Sequence, residues 1–117
     1  MPSIRDLVAA IRSREGVEAA VVLGRDGLLI DSHAAPGMDA EALAARIPSI
    51  AGPADDVGVA LQRGSLTTSV LEFERGYAIV SVMSPEALLF VLVQPSANLG
   101  ALLHELRRHR ASIAALV

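Results

Sequence analysis

The 117-residue chain has no cysteine, no tryptophan and no lysine, and only one tyrosine and two phenylalanines. Without cysteine there are no disulfides, iron–sulfur clusters or thiol nucleophiles, which fits a reducing compartment. Without lysine there is no phosphate-loop lysine and no amine for a Schiff base. All ten cationic side chains are arginine, and thirteen acidic ones leave a net charge of −3. That balance offers no broad basic field for a phosphate backbone, and so few aromatic rings give little surface for stacking unpaired bases. No apolar run approaches the ~20 residues of a membrane span. The start, Met1-Pro2-Ser3-Ile4-Arg5-Asp6, passes straight into a polar-faced helical pattern, so no secretory leader is expected. Neither nucleic-acid binding nor membrane insertion is expected, and the location expected is cytoplasmic.

What the chain does have is apolar residues, 52% of the total. Its length predicts one domain over residues 1–117, able to bury roughly two thirds of its unfolded surface. Ala87-Leu88-Leu89-Phe90-Val91-Leu92-Val93 is an unbroken apolar run of strand length. With no polar residue for either face, this strand must be covered on both sides and belongs in the middle of a sheet. The run breaks at Gln94-Pro95-Ser96. Leu99, Leu102, Leu103, Leu106, Ile113 and Leu116 or Val117 then recur at helical spacing.

Upstream, Ile4, Leu7, Val8 and Ile11 form one helical face, with Ser3 and Asp6 as a capping box and Gly16 as the stop. Ala19 to Leu23 and Leu28 to His33 read as strands joined by the hairpin Gly24-Arg25-Asp26-Gly27. Asp39 caps a helix carrying Leu43, Ile47 and Ile50. Pro48 is expected to kink or end that helix, and Gly52-Pro53 to break it more firmly. A further helical piece is read over Asp55 to Gln62, and strands over Leu66 to Phe73 and Tyr77 to Met83. Short turns make the neighbouring strands antiparallel. The fold class is α+β: a five-stranded antiparallel sheet flanked by helices, in the order α-β-β-α-β-β-β-α.

No set of side chains reads as catalytic. Asp31-Ser32-His33 has the letters of a hydrolase triad, but on a strand Asp31 and His33 share one face and Ser32 points away. His104 and His109 are five apart, off the i, i+4 spacing of a zinc pair on a helix. Asp55 and Asp56 are adjacent, so their carboxylates diverge on a helix. Gly24-Arg25-Asp26-Gly27 lacks the following helix of a phosphate loop. Arg107-Arg108-His109-Arg110 falls late in a helix, where cations meet the negative end of its dipole. No catalytic residue, metal or cofactor is expected.

The chain resembles a Roadblock domain, the family of the Roadblock-type dynein light chains and the bacterial MglB-type regulators of small GTPases. The resemblance covers nearly the whole chain. Its residues are Gly16-Val17-Glu18-Ala19-Ala20-Val21-Val22 leading to Arg25-Asp26-Gly27-Leu28, then Asp39-Ala40-Glu41-Ala42-Leu43-Ala44-Ala45. Leu88 to Val93 follows, with Ala97-Asn98-Leu99-Gly100 and Leu106-Arg107-Arg108. Asn98 sits where it can cap the last helix, and Gly100 where that helix could lie close on the sheet.

The resemblance implies a homodimer or heterodimer with sheets joined edge to edge and the middle helices packed together. Leu66 to Phe73 carries apolar residues on both faces, and such a strand at a sheet edge is a template for a second chain. The dimer candidates are Leu43, Ile47 and Ile50 with Leu66, Thr68, Val70 and Glu72. The resemblance also implies work with a Ras-like small GTPase, including activation by positioning without an arginine finger. Arg25 and Asp31 at the first hairpin, with Asp39, Glu41, Ala42, Ala45 and Arg46, are the contact candidates. The alternatives are a structural adaptor in a larger complex and a small-molecule sensor. Few convergent polar groups are in view for the sensor.

Overall fold

The apolar run becomes β5 (Ala87–Val93) and lies at the centre of a five-stranded antiparallel sheet in a computed structural model that describes residues 3–116. Met1, Pro2 and Val117, the last a candidate end of the leucine stripe, lie outside the described residues. The other elements are α1 (Ile4–Arg12), β1 (Val17–Gly24), β2 (Leu29–Ala34), α2 (Ala40–Arg46), α3 (Pro48–Ala60), β3 (Thr68–Phe73), β4 (Gly76–Ser84), α4 (Leu99–Arg108) and α5 (Arg110–Ala114). The strand order is β2-β1-β5-β4-β3.

Each residue of β5 has a partner on both sides, and successive residues face opposite ways. Leu89 pairs with Val22 and Ser81, and Val91 with Ala20 and Ile79. This face is covered by Val8 and Ile11 of α1, Leu102 and Leu106 of α4 and Ile113 of α5. Leu88 pairs with Leu23 and Val82, and Phe90 with Val21 and Val80. That face is covered by Ala44 of α2, Ile47 at the α2–α3 junction and Ala51 of α3. The sheet thus divides the core in two.

Local chemistry sets the ends of the elements. The Ser3 side chain accepts from the Asp6 N–H at 3.2 Å and the Asp6 carboxylate accepts from the Ser3 N–H at 3.0 Å, closing the capping box of α1. Asn98 caps α4 through the Ala101 N–H at 3.0 Å. The sequence expectations need correcting at four places. First, α1 stops at Arg12, ahead of Gly16, whose φ of +85° instead turns the chain into β1. Second, Gly52-Pro53 does not break the middle helix. Pro48 ends α2 and stands in the first turn of α3, which then runs through Pro53 to Ala60. Gly52 has no Cβ to meet the proline ring, which removes one of the two clashes that normally clear helix from the residue before proline. Third, the last helix is divided at His109, and α5 reaches back so that Ile113 enters the core. Fourth, Gly100 makes no close approach to the sheet and is exposed.

Leu88 and Leu89 are both fully buried, on opposite faces. Leu88→Ala and Leu89→Ala should each lower stability by about 2–5 kcal/mol, whereas Leu28→Ala, at a residue 68% exposed, should stay within about 0.5 kcal/mol. Urea unfolding midpoints check this, and a small loss at either buried leucine would show that its face of the sheet is open.

Candidate interaction surfaces

The two outer strands of the sheet are built differently. β3 pairs with β4 without interruption from Thr68↔Ser81 to Phe73↔Gly76. Its outer side therefore presents a regular row of backbone groups that no strand covers among the described residues. β2 is irregular: its register with β1 shifts between Val22 and Leu23, and the Asp31 carboxylate takes the Ser32 N–H at 2.8 Å. A bulge and a carboxylate on an outer strand both discourage another strand from adding there.

The register assigns the side chains of β3 to faces. Thr68, Val70 and Glu72 stand opposite Ser81, Ile79 and Tyr77, on the α1 face. Ser69, Leu71 and Phe73 lie on the α2 face, where Leu66 also packs. Val70 is 41% exposed and Phe73 56%, so apolar surface is open on both sides of one strand. The Thr68 hydroxyl is engaged within the chain, accepting from Arg110 Nη2 at 2.7 Å.

α3 starts on the same α2 face, where Ala51 packs. Ala51 alone among its described residues is buried. Val57 and Val59, with Leu61 at its cap, are each more than half exposed. α3 carries these apolar residues alongside the polar Ser49, Asp55 and Asp56. Its far end is tied to the approach to β3. Asp55 accepts from the Leu66 N–H at 2.7 Å, the Arg63 N–H bonds the Gly58 carbonyl at 2.9 Å, and a Cβ on Gly58 would stand 2.5 Å from the Gly64 carbonyl oxygen.

α2 presents a third surface. Asp39 accepts from the Ala42 N–H at 3.1 Å and starts the helix. Ala44 and Ile47 turn inward, leaving Glu41, Ala42, Ala45 and Arg46 exposed as one polar and small-residue face. The first hairpin rests against this helix, because Gly27 takes φ +86° and a Cβ there would come within 3.4 Å of the Ala45 Cα.

The structure therefore brings together some of the residues singled out from the sequence and separates others. Asp39, Glu41, Ala42, Ala45 and Arg46 lie on or at the start of one short helix. Asp31 pairs with Val22 on the α1 face, as His33 does with Ala20, while Ser32 faces the α2 side with Val21. Arg25 lines a groove whose walls include Ile4 and Ala87, residues packed in or against the α1-face core. Asp31 does not share a face with α2. Of the dimer candidates, Ile47 is 2% exposed and spent on the chain's own core. Leu43, Ile50 and Leu66 are half-buried on the α2 face, and Thr68, Val70 and Glu72 lie on the other.

The open apolar residues of α3 and Phe73 were not singled out from the sequence. A signal was there: Val57, Val59 and Leu61 recur every second residue, and on a helix that spacing cannot place all three on one buried face. Arg14, in the turn after α1, and Glu105 of α4 form the one ion pair among the described residues. No three His, Asp or Glu side chains converge as metal ligands among those residues.

The sequence profile of the Roadblock/LC7 domain matches residues 4–93. An uncharacterized protein of Methanocaldococcus jannaschii is 29% identical over 106 residues, 91% of this chain and 92% of its own. Among solved structures, a Roadblock/LC7 domain from Streptomyces avermitilis superposes with a TM-score of 0.85 at 22% identity, covering 97% of each chain. MglB of Myxococcus xanthus superposes with a TM-score of 0.86 at 11% identity, covering 98% of this chain and 97% of that one. At those identities the likeness is one of fold. The profile match spans most of the chain from α1 to the end of β5, and the protein belongs to the Roadblock/LC7 domain family.

Proposed function

We propose that this chain acts as a single Roadblock domain that pairs with a second copy of itself and holds a Ras-like small GTPase, with no chemistry of its own. The observation that carries the reading is the uninterrupted outer strand β3 together with the uncovered helix α3. Family membership supplies the direction, since Roadblock proteins regulate or adapt and MglB is among the structures of this shape. A twofold axis beside β3 would continue the sheet into the partner, cover Val70 and Phe73, and set the two α3 helices against each other. Leu43, Ile50, Leu66, Thr68 and Glu72 would line or flank this contact. The GTPase would meet the outer face of α2, through Glu41, Ala42, Ala45 and Arg46, near the Asp39 cap. The cytoplasm, where Ras-like GTPases work, is the location this role requires.

If the partner's hydrolysis is accelerated, the means would be ordering of the GTPase's own residues.

Val70→Lys should convert a dimer into a monomer in light scattering while leaving circular dichroism unchanged, because Val70 is already 41% exposed and a charge on an outer strand blocks strand addition. A variant that stays dimeric would remove the shared sheet. For the GTPase, Glu41→Arg and Arg46→Glu should weaken binding of a co-encoded Ras-like protein at least severalfold by titration calorimetry. Arg25→Ala, Arg46→Ala, Arg63→Ala and Arg75→Ala should each leave GTP turnover at saturating protein far short of the ~10³-fold loss of a missing arginine finger. Binding without faster turnover would identify an adaptor, and no binding to such a GTPase would remove this half of the proposal.

A further inference from the structure

The backbone of β3 limits how a second strand can join it. In an antiparallel ladder, alternate residues turn both N–H and C=O toward the neighbouring strand, and the residues between turn theirs away. The ladder to β4 closes at Phe73↔Gly76 across the two-residue turn Glu74-Arg75, and at its other end the Val82 N–H bonds the Thr67 carbonyl at 2.9 Å. Thr67, Ser69, Leu71 and Phe73 therefore spend their backbone groups on β4, while Thr68, Val70 and Glu72 turn theirs outward. A strand added about a twofold axis must match outward residues with outward residues, so the axis lies beside Ser69, Val70 or Leu71. An axis at Ser69 would bring Glu72 to Leu66, whose N–H is already held by Asp55 at 2.7 Å. An axis at Leu71 would bring Thr68 to Glu74 in the turn. The axis at Val70 alone uses all three outward residues: Val70 meets Val70 of the second copy, and Thr68 meets Glu72 on each side of it.

That register sets charge against charge on the α1 face. Arg110 of α5 donates from Nη2 to the Thr68 hydroxyl at 2.7 Å, so its guanidinium stands beside the residue that meets Glu72 of the second copy. Directly opposed side chains in such a ladder have Cβ atoms ~5 Å apart, which brings the incoming carboxylate within reach of the guanidinium. Neither group has an ion-pair partner in its own chain, Arg14–Glu105 being the one such pair among the described residues. Glu72 is exposed and Arg110 half-buried. Ile113 anchors α5 in the core and holds Arg110 at this place.

We propose that Arg110 and Glu72 form a reciprocal ion pair between two copies, which sets the register of the β3 contact at Val70 and selects a second copy of this chain as the partner. The inference rests on the shared sheet of the proposed function. Each dimer makes the pair twice, once on either side of the axis. A strand with a carboxylate at the position of Glu72 satisfies the guanidinium, and a strand with a neutral or basic residue there leaves it unmatched or repelled. The division of the last helix at His109 thus has an effect outside the core, since it turns Arg110 toward the outer strand.

Because the chain has no cysteine, single cysteines read the register directly. Val70→Cys should give a disulfide-linked dimer on a non-reducing gel under mild oxidant, since hydrogen-bonded residues facing each other have Cα atoms about 5.5 Å apart, within the reach of a disulfide. Ser69→Cys and Leu71→Cys should not, and crosslinking at either of these in place of Val70 overturns the register. For the ion pair, Glu72→Arg and Arg110→Glu should each weaken the dimer at least severalfold in analytical ultracentrifugation at low salt, and less at high salt. Glu72 is exposed, so Glu72→Arg tests the pair even if Arg110→Glu disturbs α5. Mixed in equal amounts, the two variants should form a heterodimer tighter than either variant forms alone, because both contacts across the axis are then between opposite charges. A merely structural role for Arg110 gives no such preference, and its absence overturns the ion pair. A monomeric wild type, or a dimer that Val70→Lys leaves intact, removes the shared sheet and this inference with it. A dimer that Val70→Lys splits, but that the charge variants leave at wild-type strength, overturns this inference alone.

Discussion

The rest of the structure depends on the double burial of β5. Leu88 to Val91 are all 5% exposed or less, with adjacent residues in separate cores. A strand of this kind cannot stand at an edge or face water on either side, so two strands must flank it and helices must cover both faces. Each fully buried aliphatic side chain contributes about 1.5–3 kcal/mol over its exposed state. Seven apolar residues in sequence thereby fix the place of the other elements. β4, its hairpin partner, and β1, distant in sequence, take the positions beside β5, and β2 and β3 are left to the margins.

The two faces are not covered equally. α1, α4 and α5 all pack on one face, and α4 and α5 reach it as a broken pair that carries Ile113 into the core. On the other face α2 and the start of α3 supply Ala44, Ile47 and Ala51, small or single contributions. The turn at Ile47 follows from Pro48, which cannot extend the hydrogen-bonding of α2 and begins a new helix instead. α3 then leaves the sheet with Val57, Val59 and Leu61 in solvent. The open apolar surface of α3 is in this sense a consequence of one proline.

Much of this was legible in the residues, and the reasons differ by element. β5 was plain because an apolar run bounded by Pro85 and Pro95 leaves few readings. The capping box of α1 and the caps at Asp39 and Asn98 were plain because each is a local bond made within a few residues. Gly52-Pro53 misled because the usual effect of proline in a helix was weighed without the preceding glycine that relieves it. The division of the last helix at His109 was hidden, since Arg107 to Ala114 continues a helical pattern and the break serves contacts with β3 and β4 distant in sequence. For the interaction surfaces, the residues gave the edge strand, but not the faces. Whether Asp31 and α2 share a side depends on the bulge at Ile30, and a register shift of that kind carries no local mark.

The contrast between the two edges decides how far the sheet can grow. An open sheet with two regular edges is a monomer for a fibre, because each addition recreates the edge it consumed. Here the bulge at Ile30 and the carboxylate of Asp31 blunt β2, while β3 keeps its regular ladder to β4 and carries apolar side chains on both faces. Growth by strand pairing can then occur on one side only. Two copies meeting at β3 present only blunted β2 edges outward, so the addition stops at once and the twofold arrangement is the closed solution. The same irregularity that stops the sheet displaces Ile30 toward solvent at the end of the strand. Apolar surface withdrawn from backbone pairing is in this way left in solvent beside the hairpin.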